Sequence, residues 1–297
     1  MRRNELELLP LVTIVTPSFN QGKFIRETIN SVLAQDYPRI EYLIIDGGST
    51  DETLDILKEY DGKIKWISEK DNGQTEAINK GWKMGKGEIL AWLNSDDTYL
   101  PGAVCKAVDF LCANKEFIMV YGEGWHIDES GNVIERYPTE PFNFNRLAET
   151  CFICQPTAFI CREALEQVGF LDERLNYCMD YDYWIRIGKK HRIGYINEFL
   201  ANSRLHTETK TLGQRTNVQK EVMQTLFHHF GLVPSNWIFS YCDALIESKF
   251  RIKYKAKIIY VIMAIFLFVI TSLRYNKKIN MSEIACFIIW IKKVIKK

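Results

Sequence analysis

The chain has neither of the glycine signatures that cradle phosphate on backbone amides. No G-x-G-x-x-G opens a helix after an apolar run, and no G-x-x-x-x-G-K-[ST] occurs. Their absence argues against the usual dinucleotide fingerprint and against a phosphate-loop enzyme. A second cysteine pair is missing too. Cys151-Phe152-Ile153-Cys154 stands alone, since Cys105 and Cys112 are not spaced as its partner, so a zinc ribbon is not expected. No apolar stretch follows Met1-Arg2-Arg3. Without a secretory signal there, the eight cysteines are expected to be reduced core residues of a cytosolic body. No internal repeat or low-complexity segment interrupts the chain before its tail, which sets solenoids aside. Acids nearly vanish at the end: residues 249–297 hold 12 Lys/Arg and a single acid, Glu283, whereas residues 1–248 carry 26 Lys/Arg against 36 acids.

What is present is a regular alternation. Residues 9–16 are apolar and β-branched, a first buried strand. Residues 24–35 repeat apolar side chains at helical spacing up to Pro38. Residues 40–46 form a second strand, 51–60 a helix, 64–68 a short strand and 73–86 a helix leading into a strand at residue 89. Strands alternating with helices over about a hundred residues predict βαβ units. The fold class expected is therefore α/β, a mainly parallel sheet flanked by helices. Beyond Asp97 the pattern predicts a helix over 102–114, a strand over 117–121 and a hairpin over 126–134. It then gives a strand at 156–161, helices over 162–168 and 181–190, and two short strands within 193–205.

The stretch around which the chemistry is organised is Gly87 to Asp97, an apolar run that stops at Asn94-Ser95-Asp96-Asp97. In open α/β sheets ligands collect at the carboxyl ends of strands. Two carboxylates at such a place can hold a divalent cation that also binds phosphates, although an Asx-rich turn would use the same residues. Three further polar corners, at 16–20, 46–51 and 69–74, fall on the same edge and converge with it.

Read in order, Val-Thr-Pro-Ser-Phe-Asn-Gln, Ile-Ile-Asp-Gly-Gly-Ser-Thr-Asp, Ser-Glu-Lys-Asp-Asn-Gly-Gln, Leu-Asn-Ser-Asp-Asp and Met-Asp-Tyr-Asp-Tyr-Trp-Ile-Arg resemble the motifs of inverting family-2 glycosyltransferases with the GT-A fold. The likeness runs over residues 9–206 and is nearest to bacterial enzymes that build surface polysaccharides such as O-antigen or capsule. It implies that Thr16, Pro17 and Asn20 line the nucleobase pocket. Asp46 would meet base or ribose, Asp71 and Gln74 would sit beside them, and Asp96 would meet ribose or sugar. Asp97 would coordinate Mn²⁺ or Mg²⁺ on the donor diphosphate, with His206 as a further ligand. The family's Asp-x-Asp has no acid at its first position here, so Asp96 and Asp97 could exchange roles. Asp180 is the candidate general base, with an N-cap as its structural alternative. Asp182, its rival, is expected to pair with Arg186 at i,i+4 instead.

The implied activity is metal-dependent, inverting transfer from a nucleotide sugar, a UDP-sugar in preference, to a saccharide acceptor carried on a lipid. The alternative is a non-catalytic nucleotide-sugar-binding protein at the membrane. Residues 258–273 are free of charge and flanked by lysines and arginines, at or below the length of about 20 that spans a bilayer. A second apolar stretch covers 284–291. Together they predict attachment to an anionic membrane surface, peripheral or monotopic on the inner face of the plasma membrane, with nucleic acid not expected as a partner. The expected division is a glycosyltransferase domain over 1–215, a helical connector over 216–248 and a membrane-associating tail over 249–297.

Overall fold

Every residue of β1 (Val12–Ser18) is buried, as an apolar, β-branched strand covered on both faces must be. In the computed structural model, which describes residues 8–207, 209, 213–250, 257–277 and 287, β1 lies inside a nine-stranded sheet. It pairs in parallel with β2 (Ile40–Asp46) and β4 (Ile89–Trp92), and β2 pairs in parallel with β3 (Lys65–Ser68). The crossovers are α1 (Ile25–Leu33), α2 (Thr53–Glu59) and α3 (Gln74–Met84). Helix α1 turns Ile25, Thr28, Ile29 and Val32 inward and α3 turns Ala77, Ile78 and Trp82 inward, the 3.6-residue period of a one-sided helix.

Past β4 the sheet becomes mixed. The order continues to β8 (Phe159–Cys161), β6 (Phe117–Ile127), β9 (Arg192–Arg204) and β5 (Thr98–Tyr99), while β7 (Val133–Arg136) pairs with β6. Strand β8 runs antiparallel to β4 and β6, and β9 runs parallel to β6. Helices α4 (Ala103–Ala113), α6 (Glu163–Val168) and α7 (Met179–Gly188) accompany these strands, with α5 (Phe144–Glu149) between β7 and β8.

Two expectations are corrected here. Residues 193–205 are not two short strands but the single β9. Its ladder with β6 steps from Gly122↔Ile196 to Glu123↔Phe199, so the polar pair Asn197-Glu198 is a bulge inside one strand rather than a break. Strand β6 likewise runs to Ile127, six residues past its expected end, because β9 continues alongside it.

The chain divides into two units, residues 1–143 with 152–206, and residues 144–151 with 207–297. The first is the α/β unit just described. The second is helical: α5, α8 (Arg215–Phe230), α9 (Ser235–Leu245) and α10 (Lys257–Asn276). Met223, Ile238, Phe239, Cys242, Tyr260, Ala264 and Phe268 form its core, together with Phe287. The second apolar stretch, 284–291, otherwise lies outside the described residues.

Candidate functional site

Parallel pairing of β1, β2, β3 and β4 brings their carboxyl ends to one edge. At the end of β1 the chain turns through Asn20 with φ 52, a left-handed conformation that asparagine tolerates better than most residues. This loop is stitched to the one after β2. Asn20 N–H donates to Ser49 Oγ at 2.7 Å, Thr50 N–H to Asn20 Oδ1 at 2.8 Å, and Gly22 N–H to Asp51 Oδ2 at 3.0 Å.

Asp46 is fully buried and faces its own loop. Its Oδ2 accepts from Gly48 N–H at 3.0 Å, Ser49 N–H at 2.9 Å and Ser68 Oγ at 2.7 Å, while Oδ1 accepts from Ser49 Oγ at 2.5 Å. Gly48 needs no side chain at φ 85, and a Cβ on Gly47 would meet the Asp71 carboxylate at 3.0 Å. Asp71 therefore rests on the Gly47 backbone, and its Oδ1 accepts from Gly73 N–H at 2.9 Å to open α3. Thr16 and Pro17 lie beneath this edge. Thr16 is buried with its hydroxyl 3.0 Å from Tyr42 Oη. Pro17 sits past the last β1–β4 rung, Leu93 N–H to Val15 O at 2.9 Å, where a missing donor leaves no rung unmade.

At the end of β4 an amide chain begins. Gln74 Nε2 donates to Asn94 Oδ1 at 2.7 Å, and Asn94 Nδ2 to Asp97 Oδ2 at 3.0 Å and Gln155 Oε1 at 3.1 Å. Gln155 Nε2 donates to Trp92 O at 2.9 Å. Asp97 points inward. It is 3% exposed, and its Oδ1 accepts from Arg204 N–H at 2.9 Å. Burial, and then the neighbouring Asp96 charge, raise its pKa well above the ordinary carboxylate range, against the pull of Arg204 and Asn94. Asp96 faces the other way. Its Oδ2 lies 3.0 Å from His206 Nε2, with side-chain exposures of 17% and 4%.

Asp96 Oδ2 and His206 Nε2 are hydrogen-bonded to each other, at a separation that two ligands of one divalent cation would also have. Two ligands each about 2.1 Å from an octahedral ion and cis to one another lie about 3 Å apart. Among the described residues no group of three or more His, Cys, Asp or Glu converges on one point, so an ion held by Asp96 and His206 would complete its shell from phosphate oxygens and water. Asp97 thus accepts from the backbone of β9, while Asp96 meets the His206 ring.

Asp180 sits in the first turn of α7, one turn before Trp184. Trp184 stacks on Trp92 with ring centroids 5.4 Å apart, which holds the helix start beside the end of β4. The N-cap position is Cys178, not Asp180, whose Oδ1 accepts the next N–H, that of Tyr181, at 2.8 Å. Asp182 is tied to Arg186 Nε at 2.7 Å, the i,i+4 pair expected.

Three residues of this edge were not among the expected ligands. Arg204, 1% exposed, donates to Asp96 O at 2.8 Å, Glu27 Oε2 at 2.5 Å, and the carbonyls of Asp128 and Glu129 at 3.2 and 3.1 Å. Its position beside His206 in Arg204-Leu205-His206 was the one available signal. Gln155 joins Asn94 to the strand. Ser18 Oγ is buried at the end of β1 without a hydrogen-bond partner, and nothing in the sequence set it apart. Two cavities, of about 310 and 380 Å³, lie away from these residues, the first around Glu88, Cys112 and Cys161 and the second around Phe117 and Tyr195.

The model of the family Glycosyl transferase family 2 matches residues 13–169. An uncharacterised glycosyltransferase of Rickettsia prowazekii (strain Madrid E) is 31% identical over 210 residues, 68% of this chain and 66% of the relative. Chondroitin synthase of Escherichia coli is 29% identical over 231 residues, 77% of this chain and 33% of the relative. The chain thus spans just under two thirds of the first relative's length and a third of the second's. Among solved structures, S. aureus TarS 1-349 in complex with UDP-GlcNAc aligns with TM-score 0.60 at 16% identity, over 85% of this chain and 79% of that one. The mannosyltransferase PcManGT from Pyrobaculum calidifontis, in complex with GDP-Man and Mn²⁺, aligns with TM-score 0.60 at 15% identity, over 98% and 82%. At these identities the structural likeness is one of fold.

Proposed function

This chain belongs to glycosyl transferase family 2, and from that premise we propose that it transfers a sugar from a nucleotide-sugar donor to a hydroxyl of a saccharide acceptor, inverting the anomeric centre, in the synthesis of a cell-surface polysaccharide. The observation that carries this reading is the hydrogen-bonded Asp96–His206 pair, 3.0 Å apart, at the strand edge where Asp71, Asn20 and the unpartnered Ser18 hydroxyl also lie. Chondroitin synthase among the relatives favours a polysaccharide product. The neighbours bound to UDP-GlcNAc and to GDP-Man favour a nucleotide-sugar donor, with a UDP-sugar our preference.

In this account Asp71, Asn20 and Ser18 meet the base and ribose, and Gln74 keeps Asn94 in line. Thr16 and Pro17 form the floor, and Asp46 shapes the loop above it without touching the donor. Asp96 and His206 would hold Mn²⁺ or Mg²⁺, the imidazole favouring Mn²⁺ because Mg²⁺ prefers an all-oxygen shell. Bound there, the ion would neutralise charge developing on the leaving diphosphate.

Asp180 takes the proton from the acceptor hydroxyl. That oxygen attacks the anomeric carbon from the face opposite the diphosphate, the bond from carbon to diphosphate oxygen breaks, and the nucleoside diphosphate leaves. A single displacement inverts the centre and needs one base and no covalent nucleophile. A lipid-linked acceptor fits the apolar C-terminal helix. The test is a donor screen in which the product's anomeric configuration is read by NMR. A product of retained configuration, or no turnover with any nucleotide sugar and saccharide acceptor, would remove this reading.

A further inference from the structure

Helix α10 buries one face against α9 and exposes another that is apolar. Tyr260, Ala264, Phe268, Thr271 and Ser272 are buried, which at 100° per residue is a single arc facing α9. The opposite arc holds Ile258, Ile259, Ile262, Ile265, Phe266, Ile270 and Leu273, all exposed, with Ile258 at 77% and Phe266 at 63%. No polar residue interrupts it until Arg274. A contiguous apolar surface of this extent marks a contact with a partner or a membrane.

We propose that this outward arc of α10 lies in the plane of an anionic phospholipid membrane, with the helix resting in the interface rather than crossing it. The inference stands on the helical unit alone and does not depend on the donor or metal assignments. Charge selects the occupant. The chain from residue 249 onward carries 12 Lys/Arg and one acid, which draws it to anionic headgroups and sets two copies of it against each other. Phe287 stacks on Phe239 and Phe268 at 5.2 and 5.1 Å, on the buried side and not on this arc.

Packing selects the orientation. By length α10 could cross, 20 residues at about 1.5 Å each matching a hydrocarbon core of about 30 Å. Its inner arc, however, is tied to polar groups. Tyr260 Oη donates to Asp243, which also accepts Arg215 Nη2 at 2.6 Å. Asn276 and Val233 exchange bonds of 2.8 and 2.9 Å. Helix α8 exposes Arg215, Lys220, Gln224 and His228. A crossing α10 would carry these charges into hydrocarbon, whereas a helix lying flat leaves them in water.

The test is cosedimentation of the purified full chain with phosphatidylcholine vesicles, with and without phosphatidylglycerol. Binding is expected to be tighter by on the order of tenfold or more with phosphatidylglycerol. The double variant Ile262→Glu/Phe266→Glu, which alters only exposed positions and is checked for an unchanged circular-dichroism spectrum, should lose that binding. For orientation, Ile259→Trp, Phe266→Trp and Leu273→Trp are each examined with lipids brominated at defined acyl depths. Equal, shallow quenching at all three supports the inference, and quenching deepest at Phe266→Trp would mean a crossing helix and overturn it. Equal affinity for both vesicle types, full binding by the double variant, or a dimer that the double variant dissociates would also overturn it.

Discussion

The ends of β2 and β4 look alike in sequence, each a buried apolar strand that leads into aspartate, directly at Asp46 and through Leu93-Asn94-Ser95 at Asp96, and the structure uses them differently. At β2 the carboxylate of Asp46 is consumed by its own loop and by Ser68. At β4 the work is divided between neighbours: Asp97 accepts from the backbone N–H of Arg204, and Asp96 meets the His206 ring. An acid at a strand end is thus not a ligand by position alone. A carboxylate saturated by buried donors holds the fold, and one with a single imidazole partner at the site edge can still meet a substrate.

The sharpest way to press this contrast is at α7, where two acids stand two residues apart. Asp180→Asn is expected to lower kcat by about 10²–10⁴, the usual worth of a general base, with KM for the donor nearly unchanged. Asp182→Asn, which weakens the bond to Arg186, should keep kcat within a few-fold. Steady-state kinetics on the two variants side by side would break the account if their order were reversed.

Next comes Asp96→Ala, expected to cost on the order of 10²–10³ in turnover, comparable to removing one group that stabilises developing charge, with a stability loss of about 1 kcal/mol from the lost His206 bond that is too small to account for it. Asp46→Ala should do the opposite. It strands two backbone N–H groups and two hydroxyls, for a loss of about 2–4 kcal/mol in urea unfolding, and any loss of activity should follow the unfolded fraction. The smallest effect is expected at Gln155→Leu, which removes the support of Asn94 and the bond to Trp92 O. It should cost about 1 kcal/mol of stability and a modest rise in donor KM.

The same contrast shows what was legible beforehand. The βαβ half could be read because each strand is a short apolar run and each helix keeps its period, both local signals. The polar corners could be placed on one edge because parallel strands share a direction. Which oxygen of which carboxylate is satisfied could not be read, since Ser68, Arg204 and Gln155 reach their partners across 22 to 107 residues of chain. The bulge at Asn197-Glu198 was hidden for a similar reason, because a polar pair inside a strand resembles a turn until the partner ladder is known. The Trp92–Trp184 stack, another pairing across distant chain, is buried at both rings and holds Asp180 beside the end of β4.

The measurement closest to the central claim is calorimetry of a nucleotide-sugar panel on the purified full chain with Mn²⁺, repeated with chelator and on Asp96→Ala and Asp97→Asn. The account expects one nucleotide sugar to bind in the presence of metal, to lose that binding in chelator and in Asp96→Ala, and to keep it in Asp97→Asn, whose side chain can still accept the Arg204 N–H. Binding that is unchanged by chelator and by Asp96→Ala, or lost in Asp97→Asn while Asp96→Ala retains it, would contradict the assignment of Asp96 as the acid that serves the donor.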